Sequence, residues 1–163
     1  MQTKAIVFTK AYTAELLDVE CASPKENEVS VRLEYSAISS GTEKANFIGE
    51  RNGTTVSENA APEFPRTVGY SAAGTVTEVG SGVDDIEVGD RVVVFWGKHR
   101  KNITVNRKKV VKIPDGVSTA EASMTYISIF PLAAIRKTRR EQQKRRRTLS
   151  LRRRHTHLSF LPE

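Results

Sequence analysis

This sequence of 163 residues has little cysteine, no long apolar run and no signal-peptide pattern in its first residues. A single cysteine, Cys21, excludes an internal disulfide and a four-thiolate zinc lobe. No apolar run approaches the roughly 18 residues that a membrane-spanning helix needs. The first residues show neither the basic nor the apolar region of a signal peptide. These absences predict a cytoplasmic protein with no membrane partner. Cys21 has no basic neighbour in the sequence and is expected to be a buried or inert thiol.

Positive charge is concentrated at one end of the chain. The net charge is +7, but residues 136–163 carry 11 Lys and Arg against 2 Glu, which leaves a net charge of −2 for residues 1–135. The basic segment has almost no apolar periodicity, and clustered like charges repel one another. We therefore predict a folded domain over 1–135 and an Arg-rich tail over 136–163 that lies outside the fold, either disordered or helical.

The folded part has the pattern of a mainly β protein. Residues 28–38 alternate, with Val29, Val31, Leu33 and Tyr35 predicted on the buried side. Further strands are predicted over 3–8, 14–20 and 91–96, and within 105–113. Between residues 65 and 92, four glycines stand among β-forming residues, which predicts sharply bent barrel corners. They are Gly69, Gly74, Gly80 and Gly89.

Two helices and a loop complete the prediction. A turn at 39–43 leads into a short helix with Ser40 or Thr42 as its N-cap. Ser118, with Glu121 three residues later, is a capping box that predicts a helix over about 119–135. The polar segment 52–65, which ends in two prolines, is predicted to be a loop.

The order of these motifs resembles the barrel signature of the medium-chain dehydrogenase/reductase superfamily, which includes zinc alcohol dehydrogenases and quinone oxidoreductases. The matching residues are Gly69-Tyr70-Ser71, Gly74, Val79-Gly80 and Gly89-Asp90-Arg91-Val92. The resemblance covers nearly all of residues 1–137. It implies the amino-terminal domain of that superfamily, a GroES-like, partly open β-barrel with short helices.

The residues that bind metal in zinc members of the superfamily are replaced here. The resemblance places Ser40 where a cysteine ligand stands, Tyr70 and Ser71 where a His-Glu pair stands, and Met124 or Thr125 near a further cysteine. Serine, tyrosine and threonine are poor zinc ligands at neutral pH, so no metal is expected. We interpret His99 as a surface histidine and not as a ligand.

The same resemblance implies roles for a few polar residues. Thr42 would lie beside the nicotinamide and pass a proton between the substrate oxygen and the cofactor ribose; a helix cap is the alternative. Gly41 would face the cofactor phosphates through its backbone N–H. Tyr70 would donate a hydrogen bond to a substrate carbonyl, with packing in the core or cleft as the alternative. Glu43 is expected to be a carboxylate stabilised by the helix dipole, and Asp90 and Arg91 are expected to pair locally.

The sequence contains no Gly-x-Gly-x-x-Gly motif after Ile135, so the NAD- or NADP-binding half of the superfamily is expected to be missing. The predicted function is therefore the substrate-side catalytic domain of a zinc-independent NAD(P)-dependent oxidoreductase acting on a small-molecule carbonyl, alcohol or enone, and inactive alone. One alternative is a GroES-like binding module whose tail binds nucleic acid; another is a co-chaperonin. The tail itself is interpreted either as a basic arm or as the product of a shifted reading frame.

Overall fold

The computed structural model describes residues 1–50 and 63–157, with side chains through Lys144. Most of the predicted 52–65 loop therefore lies outside the described residues. The strands are β1 Gln2–Lys10, β2 Thr13–Glu20, β3 Glu28–Ala37, β4 Arg66–Thr67, β5 Ser71–Val79, β6 Arg91–Phe95, β7 Asn102–Asn106 and β8 Val110–Lys112. The helices are α1 Ser40–Ile48, α2 Thr119–Ala122 and α3 Thr125–His157, and a short 3-10 turn covers Arg107–Lys109.

The described strands form two antiparallel sheets. One has the order β2-β1-β4, and the larger has the order β7-β3-β5-β6-β8. Within the described residues β7 and β8 lie at opposite edges of the larger sheet, so its ladder of hydrogen bonds does not close. The prediction of a mainly β, partly open GroES-like architecture with short helices is confirmed.

Valine side chains fill the core of the larger sheet. Val29, Val31, Val92 and Val94 are completely or almost completely buried, and burying one such side chain stabilises the fold by about 1.5–3 kcal/mol. Gly74 permits the close approach of β5 to β3, since a Cβ atom there would lie 2.1 Å from the carbonyl oxygen of Arg32. Cys21 is buried, as predicted.

The predicted alternation of β3 is only partly correct, since Ser30 on the side expected to face solvent is buried as well. Val29, Val31 and Leu33 are buried as predicted, but Tyr35 is 53% exposed. The pairing of β3 with β5 shifts register between Leu33 and Tyr35, so that one extra residue is inserted there. Because side chains alternate with a period of two, this single insertion turns Tyr35 to the opposite face.

The predicted helix over 119–135 is interrupted. Its capping box is confirmed, since Ser118 accepts from the Glu121 N–H and the Glu121 carboxylate accepts from the Ser118 N–H. However, α2 is a single turn, and α3 begins afresh at Thr125 and continues to His157. The basic segment is therefore helical over the residues that the structure describes.

The chain divides into two compact units, Met1–Ile127 and a second that begins at Ser128. The sequence-based boundary at residue 135 stays a prediction. None of the described helices is both long enough and apolar enough to cross a membrane.

Asp90 and Arg91, at the start of β6, each contact a residue further along the chain. Asp90 lies 2.7 Å from the ammonium of Lys112, and Arg91 donates to the carbonyl oxygen of Val117 at 2.7 Å. The prediction that Asp90 and Arg91 pair with each other is wrong, because β8 runs beside β6 and pairs Lys112 with Val92. Lys112 thereby becomes the nearest cation to Asp90.

Two ion pairs, Asp90 with Lys112 and Asp85 with Arg107, predict that the folded domain loses stability in acid. The hydrogen bond from Arg107 lowers the pKa of Asp85, and the hydrogen bond from Lys112 lowers the pKa of Asp90. A carboxyl group with a lowered pKa in the folded state stabilises the fold above its ordinary pKa, near 4, and loses that contribution as the pH falls through the folded value. We expect the urea midpoint to fall as the pH decreases from about 5 to about 3.

The Asp85→Asn and Asp90→Asn variants should each show a shallower fall than the natural chain. Asp115→Asn, in an exposed turn, is the matched control and should retain the full slope. Identical slopes in all four proteins would contradict the prediction.

Candidate functional site

The first turn of α1 carries the exposed hydroxyl of Thr42, and the space beside Gly41 is open. Its N-cap is Ser39, without a side-chain capping bond, so the prediction of Ser40 or Thr42 as N-cap is wrong and both lie within the helix. Gly41 and Thr42 are exposed, and a Cβ atom at Gly41 would have no neighbour within 4 Å. The first N–H groups of a helix lack intrahelical acceptors. This turn can therefore accept an anionic group.

Tyr70 leaves the sheet at the same end as α1. Ser71, the next residue, pairs with Ala37 at the end of β3 and with Phe95 at the end of β6. α1 follows Ala37, and Trp96 follows Phe95 and donates its N–H to the carbonyl oxygen of Tyr70 at 2.8 Å. The sheet register therefore brings the first turn of α1, Tyr70 and Trp96 to one end of three neighbouring strands.

Four aromatic rings meet at this end of the sheet, and we call them the aromatic rim: Tyr70, Phe95, Trp96 and Tyr126. Ring centroids are 5.5 Å apart for Tyr70 and Tyr126, and 5.8 Å apart for Trp96 and Tyr126. The Trp96 side chain remains 51% exposed, with a left-handed backbone at φ 63°. Of these four residues, the sequence analysis predicted a site role only for Tyr70. The adjacent pair Phe95-Trp96, two large aromatic residues at the end of a predicted strand, could also have indicated this cluster.

The residues that match zinc ligands do not fit a metal. Ser71 is buried, and its hydroxyl donates to the carbonyl oxygen of Ser123 at 2.5 Å, which ties β5 to the residue after α2. Ser40 is exposed and Tyr70 half-buried, and both offer only hydroxyl groups. Among the described residues, no three His, Cys, Asp or Glu side chains come together as a metal-binding group. The residues at these positions therefore do not supply the ligand set of a zinc site.

A buried chain of polar contacts lies behind the exposed residues. The Nε2 atom of His99 is 3.3 Å from Oε1 of Glu43, and its Nδ1 atom is 2.8 Å from the Ser36 hydroxyl. His99 is only 8% exposed, so its interpretation as a surface histidine is wrong. Its backbone N–H donates to Val68 beside Gly69, where φ is +96° and a side chain would collide with His99.

Glu43 has a different environment from the one predicted. It lies in the first turn of α1, where the helix dipole favours a carboxylate, but its side chain is only 11% exposed and faces His99. Its second oxygen, Oε2, is buried without a hydrogen-bond partner. A buried carboxylate is costly unless it is paired, so His99 is the contact that permits α1 to pack with Glu43 inside.

Replacing the histidine should therefore destabilise the domain. We expect His99→Ala to lower the free energy of unfolding by about 3 kcal/mol, since it leaves a buried carboxylate unpaired. Urea denaturation at pH 7 measures the change.

Glu43→Gln is the informative control, because it keeps the shape and removes the charge. In the Glu43→Gln background, His99→Ala should cost clearly less than in the natural chain. A cost below about 1 kcal/mol for His99→Ala alone would contradict the prediction.

The sequence is similar to that of known oxidoreductases. The sequence profile of the alcohol dehydrogenase GroES-like domain matches residues 25–115. The L-threonine 3-dehydrogenase of Thermococcus kodakarensis is 38% identical over 92 residues, which are 56% of this chain and 25% of the relative. The quinone oxidoreductase of Salmonella typhimurium is 34% identical over 111 residues, which are 65% of this chain and 31% of the relative.

Solved structures show the same fold. The Escherichia coli quinone oxidoreductase, solved in complex with NADPH, superimposes with a TM-score of 0.59 at 26% identity, over 74% of this chain and 36% of that one. Against the two curated relatives, this chain spans 25% and 31% of their length.

Proposed function

The chain belongs to the alcohol dehydrogenase GroES-like domain family, and from that membership we propose that it is the substrate-side catalytic domain of a zinc-independent, NAD(P)-dependent oxidoreductase. The observation that carries the proposal is the sheet register, in which the ends of β3, β5 and β6 lie side by side. Next to those strand ends in the chain stand three side chains of the proposed site: the hydroxyls of Thr42 and Tyr70 and the exposed ring of Trp96. Quinone oxidoreductases are among the relatives.

The aromatic rim suits a small, flat, unsaturated substrate. Half-exposed aromatic rings offer an apolar face for an enone or quinone. Tyr70 supplies the polar group at this surface: its hydroxyl would donate a hydrogen bond to the substrate carbonyl oxygen and stabilise the negative charge that develops there. Packing against Trp96 at a centroid distance of 6.0 Å limits where that hydroxyl can point.

Thr42 would move the proton. The Ser39 hydroxyl donates to Oγ1 of Thr42 at 3.3 Å, so the Thr42 hydroxyl keeps its own proton to donate outward. During carbonyl reduction we infer that the Thr42 hydroxyl would give this proton to the substrate oxygen and would regain a proton from solvent. A bound nicotinamide cofactor supplies the hydride.

Cofactor binding by this chain alone would be weak. Gly41 can contribute a backbone N–H to a phosphate at the start of α1, where nothing lies within 4 Å of its missing Cβ. The sequence has no Gly-x-Gly-x-x-Gly turn to hold the pyrophosphate. Most of the cofactor contacts would therefore come from residues that this sequence does not contain.

We accordingly expect negligible turnover of NADH or NADPH with enones or aldehydes when the chain is assayed by itself. A fluorescence titration with either cofactor should show no saturation in the micromolar range. A dissociation constant of a few micromolar would overturn the proposal that the cofactor lobe is supplied from outside these residues.

The substrate surface can be tested by NMR because Trp96 is the only tryptophan. A cyclic enone at millimolar concentration should shift the indole N–H signal of Trp96. Tyr70→Phe keeps the ring and removes the hydroxyl, and should weaken this binding about fivefold, the equivalent of one hydrogen bond of about 1 kcal/mol.

Tyr12→Phe is the matched control, since Tyr12 is 71% exposed and packs against Phe47 instead of the aromatic rim. It should bind as the natural chain does. The site assignment fails if Tyr70→Phe binds equally well, or if the enone shifts the signals around Tyr12 as strongly as that of Trp96.

A further inference from the structure

The basic part of α3 has no role in the proposed oxidoreductase site. From residue 136 to residue 157 the sequence has 11 Lys and Arg and a single acidic residue, Glu141. The structure gives this whole stretch a helical backbone. All described side chains in it are exposed. The described part of the helix is therefore a strongly basic surface.

The positive charges recur on one face of the helix. Arg136, Arg140 and Lys144 are spaced four residues apart, so they lie along one side, and Arg139 is adjacent to them. Glu141 is turned about 100° away from Arg140. At about 1.5 Å per residue, the basic stretch is roughly 33 Å long, close to one turn of duplex DNA.

We propose that this helix binds double-stranded DNA through its phosphates. Duplex DNA carries about one negative charge per 1.7 Å of axis, which complements the charge density of the helix. Arginine, the main cation here, can bind phosphate with two parallel hydrogen bonds. A helix with its side chains is about 10–12 Å wide, which matches the roughly 12 Å width of the major groove.

The composition also favours DNA over a membrane surface and indicates how the DNA is read. A helix that lies on a lipid bilayer needs an apolar face, whereas residues 136–157 contain only two leucines, Leu149 and Leu151, as large apolar residues. The same residues contain no Phe, Trp or Tyr, so stacking on bases is absent. Binding should therefore depend on phosphate contacts and be almost independent of base sequence.

Fluorescence anisotropy with the full chain and a labelled 20-base-pair duplex tests the proposal. We expect a dissociation constant in the micromolar range near 0.1 M salt. Affinity should fall steeply with salt, with a log–log slope of about −4 or steeper for four or more phosphates. The variant Arg139→Gln/Arg140→Gln/Lys144→Gln should weaken binding at least tenfold and reduce the slope by about 3. Glutamine preserves helix propensity, and circular dichroism checks the helix content.

The matched control removes the same number of positive charges from the first compact unit, Met1–Ile127. Lys101, Lys108 and Lys109 are exposed, and Lys101→Gln/Lys108→Gln/Lys109→Gln should bind as the natural chain does. Equal weakening in both triple variants would overturn the assignment to α3, since net charge alone would then explain binding. The proposal also fails if no binding occurs at 50 mM salt, or if phosphatidylserine vesicles bind the chain and the duplex does not.

Discussion

The candidate site depends on one buried set of contacts, the chain of polar groups from Glu43 through His99 to Ser36. Ser36 belongs to β3, Glu43 to the first turn of α1, and His99 to the segment after β6. A carboxylate in the interior needs a partner, and His99 is placed to be that partner. Because Glu43 directly follows Gly41 and Thr42, the position of this carboxylate also fixes where those two residues face solvent.

The core and the site are two consequences of the same sheet register. Valines in β3, β5 and β6 fill the interior. At one end of the same three strands, the chain continues into α1, Tyr70 and Trp96. A shift of one residue in that register would move the buried side chains outward and separate these groups. The geometry of the site therefore depends on the same strand register as the core.

Local patterns predicted the fold well. The glycines and β-forming residues of 65–92 predicted bent strands, and the resemblance of this stretch to the medium-chain dehydrogenase/reductase superfamily implied the architecture. Ser118 with Glu121 correctly began a helix. These signals are local because turn geometry and capping involve neighbours in sequence. The exposure of Tyr35 escaped prediction because it depends on one bulged residue, which no alternation pattern reveals.

The interior of the site was less predictable. His99 stands between Lys98 and Arg100 in the sequence, a context typical of a surface, yet its partners Ser36 and Glu43 are distant in the chain. Tyr126 joins the aromatic rim through tertiary packing with Tyr70 and Trp96. Burial that arises from such long-range contacts leaves no periodic signal in a single sequence.

The most direct test of this account is an NMR measurement on the imidazole of His99. If His99 is held between Ser36 and Glu43, we expect a slowly exchanging ring N–H signal, together with nuclear Overhauser contacts from the ring to the side chains of Ser36 and Glu43. A ring N–H that exchanges freely with water, with no contact to α1, would contradict it.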